Sequence, residues 1–189
     1  IPHDELTGFP RSRRWQANWI WNRDNPHEKN AFVLFRREFG IDATAGARLF
    51  IVADTRYRLW INGELVGDGA PMSQPYYQYY DERDIEMYLR EGTNCIGILV
   101  NHLGTLDDTR GGLLAELVDA GGKPRLASDE QWRACRADAW RRNTQFFRMN
   151  KMVPFQEHFD ARKMPAGWTE PGFDDGAWDR AVVVSNRSR

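Results

Sequence analysis

The stretch YRLWINGELVG, residues 57–67, decides the fold. Tyr57, Leu59 and Ile61 alternate with Arg58 and Trp60, which predicts a half-buried β-strand. Asn62-Gly63 follows at once, and both central residues of a type I′ turn need the positive φ angles that Asn and Gly tolerate. The run 64–67 then leads back, so the whole stretch predicts a β-hairpin.

Short apolar runs separated by turn residues continue this pattern on both sides of the hairpin. Residues 31–39 and 48–53 precede it, and residues 95–100 and 112–118 follow it. The run 95–100 is apolar on both faces, which predicts a central strand. The number and spacing of the strands predict an all-β fold, an antiparallel β-sandwich with Greek-key (jelly-roll) connections.

Helical signals are limited to single turns. In the segment 81–94, Ile85, Tyr88 and Leu89 share one helical face. Asp84 can cap the start and Gly92 can close the end, which predicts one or two helical turns. Two further segments, 128–132 and 173–178, each place acidic residues a few positions before a Trp. We expect each acid to cap one turn whose Trp folds back onto the sheet.

One module is expected to account for the whole chain, because 189 residues are enough for one sizeable core. The hydrophobic fraction of 41% and the aromatic fraction of 13% are typical of a folded globular domain. Residues 1–14 are expected to form an N-terminal extension. Residues 150–189 are expected to form a loop and connecting segment toward a downstream domain. The start at Ile1 instead of Met indicates that the natural N-terminus lies further upstream.

The charge balance disfavours a nucleic-acid partner. The chain carries 26 basic and 27 acidic side chains, a formal net charge of -1, whereas nucleic-acid binders normally show a basic excess. The basic runs at 11–14 and 140–142 are interpreted as solvated faces. No apolar run is long enough to span a membrane and no signal peptide is evident, so no membrane partner is expected and the compartment stays open.

The sequence predicts no cofactor and no metal site. Cys95 and Cys135 lie in strand-like stretches, which favours buried thiols, and whether they pair is left open. There is no Cys/His cluster for zinc and no EF-hand spacing for calcium. The acid pairs at 107–108 and 174–175 are interpreted as turn formers, not as catalytic carboxylates.

Four segments give the chain a resemblance to a known family. They are WQANWIW at 15–21, the hairpin stretch 57–67, the run 80–96 with its Gly-x-Asn turn, and the stretch 157–178. In order and spacing they resemble the accessory modules of bacterial α-L-rhamnosidases and their relatives among the glycoside hydrolases. The hairpin is also similar to the sugar-binding module of the β-galactosidase superfamily. The resemblance implies a galactose-binding-like sandwich.

The resemblance further implies a non-catalytic accessory domain that binds carbohydrate or serves as scaffolding. In such enzymes the catalytic carboxylates lie in a separate helical (α/α) barrel, so a barrel in the same polypeptide is the implied partner. Two alternatives stay open: a free-standing lectin-like module, and the sugar-binding domain of a β-galactosidase-superfamily enzyme. A small enzyme with an unrecognised site is a third, supported only by the acid-rich loops.

Sugar binding needs an aromatic face for the pyranose ring and polar groups for its hydroxyls. The tyrosine-dense run 75–81, the solvent-side Trp of the hairpin and the polar residues around the end of the 95–100 strand offer such groups. The candidates for binding carbohydrate are Trp60, Tyr76, Tyr77, Tyr79, Asp81, Asn101, His102 and Arg110. The alternative is that the tyrosines pack against the sandwich or against a neighbouring domain.

Overall fold

A computed structural model describes residues 13–70, 79–105, 109–145 and 155–184. Its strands lie in two antiparallel sheets. The strands, in chain order, are β1 (Ile20–Trp21), β2 (Ala31–Ile41), β3 (Arg48–Asp54), β4 (Arg56–Ile61), β5 (Glu64–Gly69), β6 (Asp81–Asp84), β7 (Gly92–His102), β8 (Gly112–Val118), β9 (Pro124–Ala127), β10 (Arg133–Arg136), β11 (Asp179–Arg180) and β12 (Val182–Val183).

The first sheet has the order β12-β1-β8-β3-β6, with β9 also paired to β8. The second sheet has the order β11-β10-β2-β7-β4-β5. Neighbours in each sheet are often distant in sequence, as when β2 pairs with both β7 and β10. The predicted all-β antiparallel sandwich is confirmed.

The core lies between the two sheets and depends on the two-residue period of a strand. Along β7, Ile96, Ile98 and Val100 are fully buried and belong to the same apolar cluster as Ile51 and Leu117 of the first sheet. The pairing of β2 with β7 is the longest, with register from Ala31↔His102 to Ile41↔Gly92. This pair forms the centre of the second sheet.

The predicted hairpin is confirmed in its turn and its register. Asn62 and Gly63 have φ angles of +51° and +84°, as a two-residue turn of the primed type requires. Ile61 pairs with Glu64 across the turn. The Asn62 side chain holds the turn against β7, because its amide oxygen accepts from the Cys95 N–H at 2.9 Å.

Of the segment 81–94, only Glu86–Tyr88 forms the predicted helical turn, as one short 3₁₀ turn. Its first four residues are strand β6 instead, because they pair with β3, and its last three begin β7. The Asp84 carboxylate accepts from the Glu86 N–H at 3.2 Å, and Gly92 has a φ of +87°. A second 3₁₀ turn spans Ala161–Lys163. Among the described residues no helix is both long enough and apolar enough for a membrane crossing.

Both predicted acid–Trp turns are confirmed. Asp129 accepts from the Gln131 N–H at 2.8 Å, and the Trp132 ring is completely buried between the sheets. Asp174 accepts from the Gly176 N–H at 3.0 Å, and Trp178 packs on the outer face of the second sheet. The interpretation of 174–175 as a turn former therefore holds for Asp174, whereas the Asp175 carboxylate forms ion pairs with Arg36 and Arg133. The pair 107–108 lies outside the described residues.

Residues 164–178, here called the C-terminal strap, cover the outer face of the second sheet at one end. Trp168 and Trp178 pack there with Leu34 and Leu99. The strap is held by Arg36, whose buried guanidinium donates to the carbonyl oxygens of the strap. The acceptors are Trp168 O at 3.0 Å, Glu170 O at 3.0 Å and Phe173 O at 3.4 Å.

The segment 150–189, expected to be a connection, contributes to the sandwich in its described part. Beyond the strap, β11 pairs with β10 and β12 pairs with β1. The boundaries of the extension and of the connecting segment remain predictions.

The two cysteines are free thiols. Cys95 is fully buried on β7, and burial raises the pKa of its thiol to about 11.

Candidate functional site

Of the tyrosine-rich candidates, the structure describes Tyr79 and Asp81, which lie at the edge of the first sheet. Tyr76 and Tyr77 lie outside the described residues. Tyr79 is half-buried, and Asp81 begins β6. The Asp81 carboxylate accepts from the Tyr57 hydroxyl at 2.5 Å and lies 3.5 Å from the Arg83 guanidinium. Burial, followed by the hydrogen bond to Asp81, raises the pKa of Tyr57 well above its usual range.

Asn101 and His102 are neighbours at the end of β7 and therefore face opposite sides of the second sheet. His102 points into the sandwich and is completely buried, edge-on to the Trp21 ring at 6.3 Å. Its Nδ1 lies 3.2 Å from the Asp54 carboxylate, and its Nε2 has no hydrogen-bond partner among the described residues. Asn101 points to the outer face, where the Arg56 guanidinium donates to its amide oxygen at 2.8 Å.

Trp60 also lies on the outer face of the second sheet, but the C-terminal strap packs on it. Its ring meets the Trp168 ring edge-on, with 5.4 Å between the centroids. Arg110 is half-buried in the loop before β8.

Beside the strap, the outer face of the second sheet carries a cleft of about 300 Å³, here called the outer-face cleft. Strands β2, β4 and β7 form its floor, and residues 155–157 form one wall. Its lining residues are Asn30, Phe32, Arg56, Tyr57, Arg58, Asp68, Gly69, Leu99, Asn101, Trp140, Arg141, Phe155, Gln156 and Glu157. Of the candidates that the sequence singled out and the structure describes, Asn101 is the one that lines it.

The outer-face cleft has an aromatic platform. The Trp140 ring stacks on the Phe32 ring with 5.0 Å between centroids and an interplanar angle of 7°. The Trp140 Nε1 donates to the Glu157 carboxylate at 2.6 Å, which fixes the in-plane orientation of the indole. Both aromatic rings remain half-exposed.

Polar side chains surround this platform and are held in place by one another. Arg58 donates to both carboxylate oxygens of Asp68, at 2.6 and 3.3 Å. The hydrogen bond from Arg58 holds the pKa of Asp68 below its usual range. Arg56 and Asn101 form the second such pair. These fixed donors and acceptors can bind the hydroxyl groups of a ligand with little loss of side-chain freedom.

Sequence reasoning missed four residues of the cleft: Arg56, Arg58, Trp140 and Glu157. Two signals could have identified part of the set. Arg56 and Arg58 alternate with the buried Tyr57 and Leu59, so they share the outer face of β4 with Trp60. The run 140–142, interpreted as a solvated face, places a Trp beside two arginines.

In the part of the chain that the structure describes, no group of three or more His, Cys, Asp or Glu side chains is arranged to hold a metal ion.

Fold and sequence together define the class of this protein. It is a two-sheet antiparallel β-sandwich module with an open cleft on one outer face. Residues 42–189 match the model of the alpha-L-rhamnosidase N-terminal domain. The chain belongs to that family.

Two relatives share the module almost completely. The chain is 30% identical to an alpha-L-rhamnosidase of Streptomyces avermitilis over 94% of its own length and 18% of that enzyme. It superposes with a TM-score of 0.84 and 37% identity on the GH78 family rhamnosidase of Bacillus sp. GL1, covering 93% of this chain and 19% of that one. The chain thus spans about a fifth of the length of these relatives.

The sandwich also occurs outside the family. A lectin of Pleurotus ostreatus matches 90% of this chain and 42% of its own, with a TM-score of 0.58 and 21% identity. At that identity the match describes the fold alone.

Proposed function

We propose that this chain is a non-catalytic accessory module of an α-L-rhamnosidase-type glycoside hydrolase, and that it binds carbohydrate in the outer-face cleft. The observation that carries the proposal is the Trp140 ring, stacked on Phe32 and bordered by the Arg56–Asn101 and Arg58–Asp68 pairs. Membership of the rhamnosidase N-terminal family supports the accessory role.

The cleft has the chemistry that a neutral sugar needs. The apolar face of a pyranose packs on an aromatic ring, while its hydroxyls exchange hydrogen bonds with planar polar groups. The exposed parts of the Phe32 and Trp140 rings supply this apolar surface. Arg56 and Arg58 keep further N–H donors beyond those given to Asn101 and Asp68, since a guanidinium has five. Asn101 and Glu157 supply acceptors.

The carboxylates of the cleft are suited to binding and not to glycoside hydrolysis. Such hydrolysis usually needs one carboxyl group that stays protonated, which requires a raised pKa. The hydrogen bond from Arg58 lowers the pKa of Asp68 instead. Glu157 is engaged as the acceptor of the Trp140 Nε1–H. Asp68 is therefore held ionised, the opposite of what a general acid needs, and this supports the non-catalytic assignment.

The proposed partner of the module is a catalytic (α/α) barrel in the same polypeptide. Support comes from the relatives, in which this module makes up 18% and 19% of rhamnosidases that are several times longer. The reaction and its substrate would then belong to the barrel, and the module would hold or orient the glycan.

Calorimetric titration of the chain with rhamnosides, galactosides and soluble polysaccharides tests sugar binding. Trp140→Ala should weaken binding by roughly tenfold or more, because stacking on an aromatic ring contributes about 1 kcal/mol or more. Trp15→Ala is the matched control, since Trp15 is also half-buried but packs on the outer face of the other sheet. Absence of binding to every glycan, or equal loss in both variants, would remove the carbohydrate-binding proposal.

A further inference from the structure

A second, larger groove adjoins the outer-face cleft and is here called the basic groove. It has a volume of about 890 Å³ and shares Trp140 and Arg141 with the cleft. Its remaining walls come from the turn after β10 and from the segment around the second 3₁₀ turn. The lining residues are Glu28, Arg136, Asp138, Ala139, Trp140, Arg141, Arg142, Asn143, His158, Phe159, Asp160 and Lys163.

The acidic side chains of the basic groove already have cationic partners. Glu28 forms an ion pair with Arg142. Asp138 lies 3.0 Å from the Arg136 guanidinium. Asp160 accepts from Arg162 at 2.8 Å, and this hydrogen bond holds the pKa of Asp160 below its usual range. The negative charges of the groove are therefore compensated locally.

Arg141 and Lys163 supply positive charge beyond those pairs. Both side chains are exposed, and neither forms an ion pair with a carboxylate among the described residues. The Arg141 backbone is held in place, because its N–H donates to the His158 carbonyl oxygen at 2.9 Å. Arg141 lines both the outer-face cleft and the basic groove, so it lies where the two meet.

The aromatic platform of the cleft extends into the same groove. Phe159 packs on the far side of Trp140 with 4.5 Å between centroids, and 49% of its surface is exposed. Phe32, Trp140 and Phe159 therefore form a row of rings that begins in the cleft and ends in the groove. An exposed ring beside a guanidinium offers one sugar unit both a stacking face and a counter-charge.

We infer that the basic groove binds the uronate unit of an acidic oligosaccharide whose neutral neighbour occupies the outer-face cleft. The planar fork of Arg141 matches the planar carboxylate of a uronic acid, and Lys163 adds a second positive charge to the lining of the groove. The groove volume lies in the range of sites that enclose small ligands. This inference rests on the proposed function, since it names the glycan class that the same face selects.

Calorimetry on the chain with trigalacturonate and with its methyl ester tests the inference, because the ester keeps the rings but loses the charges. The acid should bind roughly three- to tenfold more tightly than the ester at low salt, and the difference should shrink as salt screens the exposed charges. Arg141→Gln should reduce the affinity for the acid to that for the ester, whereas Arg141→Lys should retain part of the preference. Arg90→Gln is the control, because this exposed arginine lies beyond the opposite end of β7.

The outcomes separate the two proposals. Equal binding of acid and ester, both weakened by Trp140→Ala, would overturn the inference and leave the proposed function standing. A preference for the acid that survives Arg141→Gln would overturn the assignment of the basic groove. Binding of neither compound, nor of any neutral glycan, would overturn both.

Discussion

The Arg36 side chain shows how the chain accommodates a charge inside a sheet. Its surface is 1% exposed, and burial alone disfavours the charged form. The hydrogen bond to Glu38, the nearby Cys95, and the hydrogen bond and charge of Asp175 outweigh that effect, so the pKa of Arg36 is raised. Because Asp175 and the carbonyl acceptors of Arg36 lie in a segment more than a hundred residues away, this single side chain joins β2 to the C-terminal strap.

Among the partners of Arg36, the Glu38 carboxyl can make the stability of the fold depend on pH. Partial burial alone raises the pKa of Glu38, but hydrogen bonds from Arg36 at 2.7 Å and from the Gly172 N–H at 2.8 Å lower it overall. A carboxyl whose pKa is lower in the folded state stabilises the fold above its ordinary pKa, here 4.5. That contribution is lost as the pH falls through the lowered, folded value.

Glu38→Gln should therefore destabilise the chain near neutral pH but not in acid. We expect a loss of about 1 kcal/mol or less at pH 7, because the carboxylate is about one third exposed. Below the folded pKa of Glu38 the variant and the parent should have nearly the same free energy of unfolding. Urea titrations across pH 3 to 7 measure the difference. Glu130→Gln, the same change at an exposed glutamate, should show no such pH dependence, and a constant deficit for Glu38→Gln would contradict the charge argument.

At the scale of elements, the β4–β5 hairpin depends on its turn. Gly63 has a φ of +84°, and a Cβ there would lie 3.1 Å from the Glu170 side chain. Gly63→Ala should lower the free energy of unfolding by about 1 to 2 kcal/mol, the cost of a side chain in the left-handed region. Thermal or urea unfolding measures this loss.

Gly40→Ala is the matched control for the turn substitution. Gly40 lies within β2, and the nearest atom to a Cβ there is 4.0 Å away. Its unfolding free energy should stay within about 0.5 kcal/mol of the parent. If Gly63→Ala were equally neutral, the positive φ would not be a constraint on this hairpin.

Alternation and turn residues were sufficient to predict most strands, because both are local properties. The runs 31–39, 48–53 and 95–100 are observed as β2, β3 and β7 with small extensions at their ends. The strands β11 and β12 were not anticipated. Each has two residues, and such short pairings depend on where β10 and β1 lie and not on any local period.

At the scale of the whole molecule, the site was harder to predict than the fold. The outer-face cleft takes Asn30 and Phe32 from β2 and its approach, Arg56 and Asn101 from two other strands, and Glu157 from the segment before the strap. These residues are distant in sequence and come together because β2 and β4 both pair with β7. Asn101 could be selected from sequence because it ends an apolar strand, whereas Trp140 and Glu157 carry no local sign of their stacking and hydrogen bond.

The contacts of the C-terminal strap predict where the folding unit ends. A chain that ends at residue 160 loses Trp168 and Trp178, which are 5% and 8% exposed, and leaves the Arg36 guanidinium without its carbonyl acceptors. Loss of a buried aromatic side chain costs about 3 to 5 kcal/mol, and a domain of this kind is stable by about 5 to 15 kcal/mol in total. The shortened chain should therefore lose cooperative unfolding.

A chain that ends at Val184 is the matched control, because it keeps β11 and β12 and every described contact of the strap. Thermal unfolding followed by near-ultraviolet circular dichroism should show one cooperative transition for that chain and none for the chain that ends at residue 160. If the shorter chain kept its melting temperature within a few degrees, residues 161–184 would be a connection laid on a complete sandwich, as the sequence alone suggests. Loss of the transition would instead show that the module extends past residue 160 to include the strap, since the sheet that carries the outer-face cleft would need the strap in order to fold.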